Sequence, residues 1–200
     1  IRVVEILEKN GEGLNLTREV RDGIENHRTS GNPKTLEGKI VRYCDKIAYI
    51  NHDIDDAERA GILSEGDLPK RFKETLGYST RDRLNTLISD VIHNSLGING
   101  IRMSSEMEEA MLELRQFMFD HVYMNSEAKS EEYKVPRMIT LLYRYYEQHT
   151  GEMPEEYIDL IEKRGEKKER VVCDYISGMT DQFSVLKFEQ LFVPKSWQKE

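Results

Sequence analysis

Cysteine and long apolar runs are scarce in this sequence. Its 200 residues include two cysteines, Cys44 and Cys173, which build neither a disulfide framework nor a CxxC metal site. We expect both to lie in apolar helical surroundings. No run of about 18 apolar residues is present to span a membrane, and no signal peptide is recognisable. These absences predict a reducing, cytoplasmic compartment and no membrane partner.

The chain also lacks an excess of basic residues. It contains 29 lysines and arginines against 37 aspartates and glutamates, which leaves a net charge of −8. Binding to nucleic-acid backbones requires a basic surface, so this balance disfavours a general nucleic-acid-binding protein. It still permits a local basic pocket that holds a small phosphate ester.

No segment shows the alternating pattern that demands a strand, whereas apolar positions recur at helical spacing throughout. We therefore predict an all-α fold of about nine or ten helices. The longest helix is expected to run from a cap at Thr35 to about Ala60. Arg81 and Arg83, near the start of another helix, are interpreted as solvated charges rather than phosphate contacts. Hydroxyl caps are predicted for three more helices, at Thr17, at Ser104 or Ser105, and at Thr180.

The helix predicted for residues 35–60 has two unlike faces. Its core face consists of Ile40, Cys44, Ile47, Ile50 and Ile54. The opposite face carries Arg42, Asp45, Tyr49, His52, Asp53 and Asp56, with Lys46 at its flank. Aspartate is a poor residue for helix interiors, and carboxylates held close together repel one another unless a cation lies between them. This face indicates a divalent metal or a metal–polyphosphate complex; the alternative is a solvated acidic face.

Residues 37–57, EGKIVRYCDKIAYINHDIDDA, resemble the matching helix of bacterial dGTP triphosphohydrolases, which are dNTPases of the HD-domain superfamily. Two flanking motifs agree in order: GLNLT at 13–17, followed by Gly23, Ile24 and His27, and DYISGMTD at 174–181. The resemblance implies a multi-helix HD-domain-like bundle. In it, residues 1–96 would form the C-terminal part of the phosphohydrolase core. Residues 97–200 would complete the nucleotide pocket and make oligomer contacts.

The resemblance also implies roles for single residues. Family members bind one divalent metal, Mg²⁺ or Mn²⁺, through a histidine, a His-Asp pair and a later aspartate that matches Asp45. Tyr49 matches the tyrosine that packs against the substrate sugar, and Asp53 matches the aspartate that bonds the sugar 3′-hydroxyl. Lys46 falls where some members place a phosphate-binding lysine. Two further candidates for the pocket are Tyr175 and Asp181, although Asp181 equally fits the first turn of a helix.

The implied reaction cleaves a dNTP with water into a deoxynucleoside and tripolyphosphate. No His-Asp pair precedes Asp45, however: His52-Asp53 lies on the wrong side of it, and His27 is followed by Arg28. One carboxylate cannot hold a catalytic metal alone. We therefore expect a C-terminal fragment of such an enzyme that does not retain the metal and is inactive by itself.

Two other functions remain open. One is an HD phosphohydrolase that acts on another nucleotide or phosphoester, and the other is a non-catalytic helical module for regulation or oligomerisation. Tyr49 and Asp53 favour a deoxynucleotide sugar, whereas no residue identifies the base. Family members form ring-like homo-oligomers, and some respond to a second dNTP or to single-stranded DNA, so the resemblance implies these partners as well.

Overall fold

The computed structural model describes residues 1–124 and 129–195, and every regular element within these ranges is a helix. This confirms the all-α prediction. The chain divides into two compact units, one made of Ile1–Glu5 and Leu14–Ala128 and the other of Ile6–Gly13 and Lys129–Glu200. No helix in the described ranges combines the length and the apolar content that a membrane crossing requires.

Ten α-helices occur within the described residues: α1 (Glu8–Gly11), α2 (Arg18–Glu25), α3 (Leu36–Arg59), α4 (Lys70–Leu76), α5 (Thr80–Ser95), α6 (Ser105–Met118), α7 (Val135–Gln148), α8 (Glu155–Glu162), α9 (Lys168–Ser177) and α10 (Asp181–Phe192). π-Helical turns span Val3–Leu7 and Phe119–Tyr123, and short 3₁₀ turns span Glu65–Asp67, Glu132–Lys134 and Thr150–Glu152. The predicted functional boundary between residues 96 and 97 falls inside the first unit, between α5 and α6, and stays a prediction.

The predicted caps form. The hydroxyl of Thr35 accepts a hydrogen bond from the Gly38 amide at 3.0 Å, and α3 ends at Ala60 as expected. Such side-chain acceptors satisfy amide groups that have no partner within the helix. The same arrangement begins α2, α6 and α10, at Thr17, Ser104 and Thr180. It also begins α5, at Ser79.

The core of the first unit begins at the middle of α3. Ile47, Ile50 and Ile54 are buried there among apolar side chains of α4, α5 and α6. The predicted core face is wrong at its N-terminal end, because Ile40 and Cys44 are exposed. The first turns of α3 pack against α2 instead, with Gly38 next to Gly23 and Pro33. Cys173 is exposed as well, so the prediction of apolar surroundings is wrong for both cysteines.

A buried polar network joins α3, α5 and the turn before α4. Arg83 is 1% exposed, pairs with both carboxylate oxygens of Glu65 at 2.8 and 2.9 Å, and donates to Oδ1 of Asn51 at 3.0 Å. It also donates to the hydroxyl of Thr80, which in turn donates to Asp55 at 2.9 Å. The prediction that Arg83 is a solvated charge is therefore wrong. Burial is possible because these acceptors satisfy its N–H groups.

The second unit has its own core. The buried side chains come from α7, α8 and α9, with partly buried residues of α10 and of the α1 region packed against them. Five of the most deeply buried are Leu142, Tyr146, Leu160, Val171 and Val172.

Replacing Arg83 by methionine will destabilise the chain by about 3 kcal/mol. Breaking a buried ion pair leaves an unpaired charge, and the lower end of the usual range applies because Glu65 keeps 29% of its side chain exposed. Urea unfolding followed by circular dichroism measures the change. Arg81→Met is the matched control, because Arg81 is an exposed arginine two residues away. Equal stability of both variants would contradict a structural role for the network.

Candidate functional site

A cavity of about 810 Å³ lies in the first unit, between α3, the loop of residues 27–30 and α6. Four of the residues singled out from the sequence line it: Asp45, Lys46, Tyr49 and Asp53. They share one face of α3 because helix positions four apart lie one above the other. Asp45 and Asp53 are eight residues apart, which places their backbones about 12 Å apart along the helix. The cavity therefore has an Asp45 end and an Asp53 end.

The loop that forms one wall is tied to α3 by Arg42. Its Nε donates to the backbone oxygen of Arg28 at 3.1 Å, and its guanidinium also donates to the backbone oxygen of Thr29. These two bonds satisfy backbone oxygens that would otherwise bind water, and they restrict the loop. Arg42 thus keeps Arg28 at the edge of the cavity.

Basic and acidic side chains share the Asp45 end. Lys46 has a lowered pKa, first because burial disfavours its charged form and then because of the nearby Arg42. Its Nζ lies 5.7 Å from the ring centre of Tyr43, whose hydroxyl donates to Glu108 at 3.0 Å. Arg115 of α6 lines the same cavity. The cavity thus presents several cationic groups in a chain whose overall charge is negative.

Asp53 is hydrogen-bonded by a residue that the sequence did not identify. Tyr123 donates a hydrogen bond from its hydroxyl to Oδ2 of Asp53, across 70 positions of the chain, and the Tyr49 hydroxyl is a further partner of Tyr123. Tyr123 ends the π-helical turn that follows α6. No local pattern could have indicated this contact, since it depends on how α6 packs against α3.

Burial sets the electrostatics of this end. Desolvation raises the pKa of the Asp53 carboxyl, and the bond from Tyr123 opposes that rise. The pKa of Tyr123 is raised in turn, first by burial and then by its bonds to Asp53 and Tyr49. The proton is therefore held on the tyrosine, and the carboxylate is the acceptor.

A complete metal site is not built by this part of the protein. Asp45 is exposed and is a suitable hard oxygen ligand. Across residues 1–124 and 129–195, however, no group of three or more His, Cys, Asp and Glu side chains is arranged to hold a metal ion.

Tyr175 and Asp181, the other two candidates, belong to the second unit. Tyr175 is buried, and its ring contacts those of Tyr146 and Tyr157 at centre distances of 4.9 and 5.1 Å. It lines a cavity of about 360 Å³ within that unit. Asp181 lies in the first turn of α10, directly after the cap Thr180. Their contact with a substrate stays a prediction.

Known proteins match almost the whole chain. Residues 101–190 match the family model of the phosphohydrolase-associated domain. Over 98% of its length the chain is 49% identical to a deoxyguanosinetriphosphate triphosphohydrolase-like protein of Caldanaerobacter subterraneus subsp. tengcongensis and 44% identical to one of Clostridium perfringens. A protein of the same description from Geobacter sulfurreducens is 30% identical over 96% of the chain.

The chain spans 58%, 59% and 63% of the lengths of these three relatives. The matches agree with the motifs on α3 and near the C-terminus, and over nearly its whole length the chain is related to deoxyguanosinetriphosphate triphosphohydrolase-like proteins.

Proposed function

We propose that this chain forms one side of the substrate pocket of a metal-dependent dNTP triphosphohydrolase, which converts a dNTP and water into a deoxynucleoside and tripolyphosphate. The observation that carries the proposal is the order of Asp45, Lys46, Tyr49 and Asp53 along one face of α3, inside a single cavity. The names of the relatives, which refer to dGTP, support this class of substrate.

Each end of the cavity suits a different part of a nucleotide. Asp53 accepts a hydrogen bond from the 3′-hydroxyl of the sugar, and the ring of Tyr49 packs against the sugar. Lys46 neutralises phosphate charge towards the other end, and Arg115, which acts electrostatically on both Lys46 and Asp53, neutralises charge between the two ends. The axial separation of about 12 Å between Asp45 and Asp53 suits an extended substrate with its sugar at one end and its phosphates at the other.

The metal ion is proposed for the whole protein and not for this chain alone. A bound Mg²⁺ or Mn²⁺ ion lowers the pKa of a coordinated water and polarises a phosphoryl oxygen, and Asp45 would supply one of its ligands. The role of the chain described here is to hold and orient the sugar and the phosphates. Assembly into a homo-oligomer and control by a second dNTP or by single-stranded DNA stay predictions.

The 200-residue chain, incubated with dGTP and either Mn²⁺ or Mg²⁺, will release no tripolyphosphate above background, because its described residues supply one metal ligand. Anion-exchange chromatography of the products measures the release. An Asp45→Asn variant serves as the control, since a contaminating hydrolase would be unaffected by it. Turnover by the wild-type chain that the variant abolishes would mean that this chain holds a complete site.

Replacing Asp53 by asparagine will weaken binding of dGTP to the chain by about tenfold, because a charge-assisted hydrogen bond to the sugar is lost. Isothermal titration calorimetry without metal measures the affinity. Asp56→Asn is the matched control: Asp56 is a neighbouring aspartate on α3 that pairs with Arg59 at 3.2 Å on the surface.

Two results would contradict this assignment. Equal effects of both substitutions on dGTP affinity would show that Asp53 makes no contact with the sugar. Binding of a different nucleotide or phosphoester, with no binding of dGTP, would favour an HD phosphohydrolase with another substrate.

A further inference from the structure

The contact between Tyr123 and Asp53 restricts how the Asp53 carboxylate can accept another hydrogen bond. A carboxylate has two oxygens, and the Tyr123 hydroxyl occupies Oδ2. The hydroxyl thus fills one of the two acceptor positions of Oδ2, which leaves Oδ1 as the better acceptor for a ligand. The Tyr49 hydroxyl also lies close to that of Tyr123, and their interaction raises the pKa of Tyr123 further.

The position of the Tyr123 hydroxyl is set by the core of the first unit. Tyr123 and its neighbour Val122 pack against the buried cluster that includes Leu114 and Met118 of α6. The π-helical turn Phe119–Tyr123 closes with a bond from the Met124 amide to the Phe119 oxygen at 3.1 Å. π-Helical turns inside or at the end of α-helices frequently occur at functional sites. Packing of the Tyr123 side chain against the core therefore sets the position of its hydroxyl.

We infer that Tyr123 is a positioning residue, which holds the Asp53 carboxylate in the one orientation where Oδ1 accepts the 3′-hydroxyl of a deoxynucleoside. This rests on the proposed function, because the sugar contact of Asp53 belongs to it. Without the tyrosine hydroxyl, the carboxylate is free to rotate and loses one bond that favours its charged form. Both consequences reduce its ability to select a ligand that carries a hydroxyl.

The groups around Asp53 act in both directions on its pKa. Burial and the nearby Asp56 raise it, whereas Tyr123, Arg115 and His52 lower it. Removal of the Tyr123 hydroxyl takes away the largest opposing contribution. The carboxyl pKa in the folded chain must then rise, and this change would not follow from a loss of packing alone.

The test compares Tyr123→Phe with the wild-type chain and with Tyr78→Phe, a matched control because Tyr78 is 63% exposed. Carboxyl ¹³C NMR follows the pKa of Asp53. NMR titrations measure the affinity for 2′-deoxyguanosine and for 2′,3′-dideoxyguanosine, which lacks the 3′-hydroxyl. We expect the wild-type chain and the Tyr78 variant to prefer 2′-deoxyguanosine by about tenfold. Tyr123→Phe is expected to reduce the preference to about twofold or less and to raise the Asp53 pKa.

Three outcomes separate this inference from the proposed function. Loss of the preference together with a raised pKa supports the positioning role. A preference that Asp53→Asn abolishes and Tyr123→Phe retains overturns the positioning role and leaves the sugar contact intact. Equal binding of both nucleosides by the wild-type chain overturns the sugar contact and the positioning role with it, whatever the pKa does. Should the phenylalanine variant unfold, Tyr123→Leu, which also keeps apolar bulk without a hydroxyl, provides the same comparison.

Discussion

The buried guanidinium of Arg83 is the constraint on which the first unit depends. A charge with 1% exposure is tolerated only because Glu65, Asn51 and Thr80 all accept its hydrogen bonds. Asn51 belongs to α3, and its amide also donates to the Ile47 oxygen at 2.8 Å. The network therefore holds α3 at a defined rotation about its axis, with the Asn51 side turned towards the interior.

That rotation decides what the other side of α3 presents. With Ile47, Ile50 and Ile54 in the core, the positions of Asp45, Tyr49 and Asp53 face the cavity. The network and the cavity are thus two consequences of one helix orientation. Tyr123 then adds a partner from the end of α6, so that Asp53 is both partly desolvated and hydrogen-bonded. A carboxylate in this state is an oriented acceptor, whereas Asp56 three residues further is an ordinary surface charge.

The chain resembles its relatives although its described residues do not complete a metal site. The arrangement of α3 accounts for both observations. In the proposed function the polar positions of α3 have separate tasks along its length, and of these the task at Asp45 requires further metal ligands. The cavity proposed to hold the sugar and phosphates is lined by α3, α6 and the loop of residues 27–30, which all belong to the first unit. The relatives are longer, since the chain spans 58–63% of those compared. The proposed metal chemistry therefore has to be tested on the whole protein, and the proposed substrate orientation can be tested on this chain.

The sequence by itself determined the helices, their hydroxyl caps and the polar face of α3, because helical periodicity and capping depend on residues within a few positions of one another. Family motifs added the candidate roles of Asp45, Lys46, Tyr49 and Asp53. Only the tertiary structure decided that Arg83 is buried, that Ile40 and Cys44 are exposed, and that Tyr123 bonds Asp53. Each of these depends on which surface of one helix meets another, and contacts between residues 18 to 70 positions apart leave no periodic signal in a single sequence.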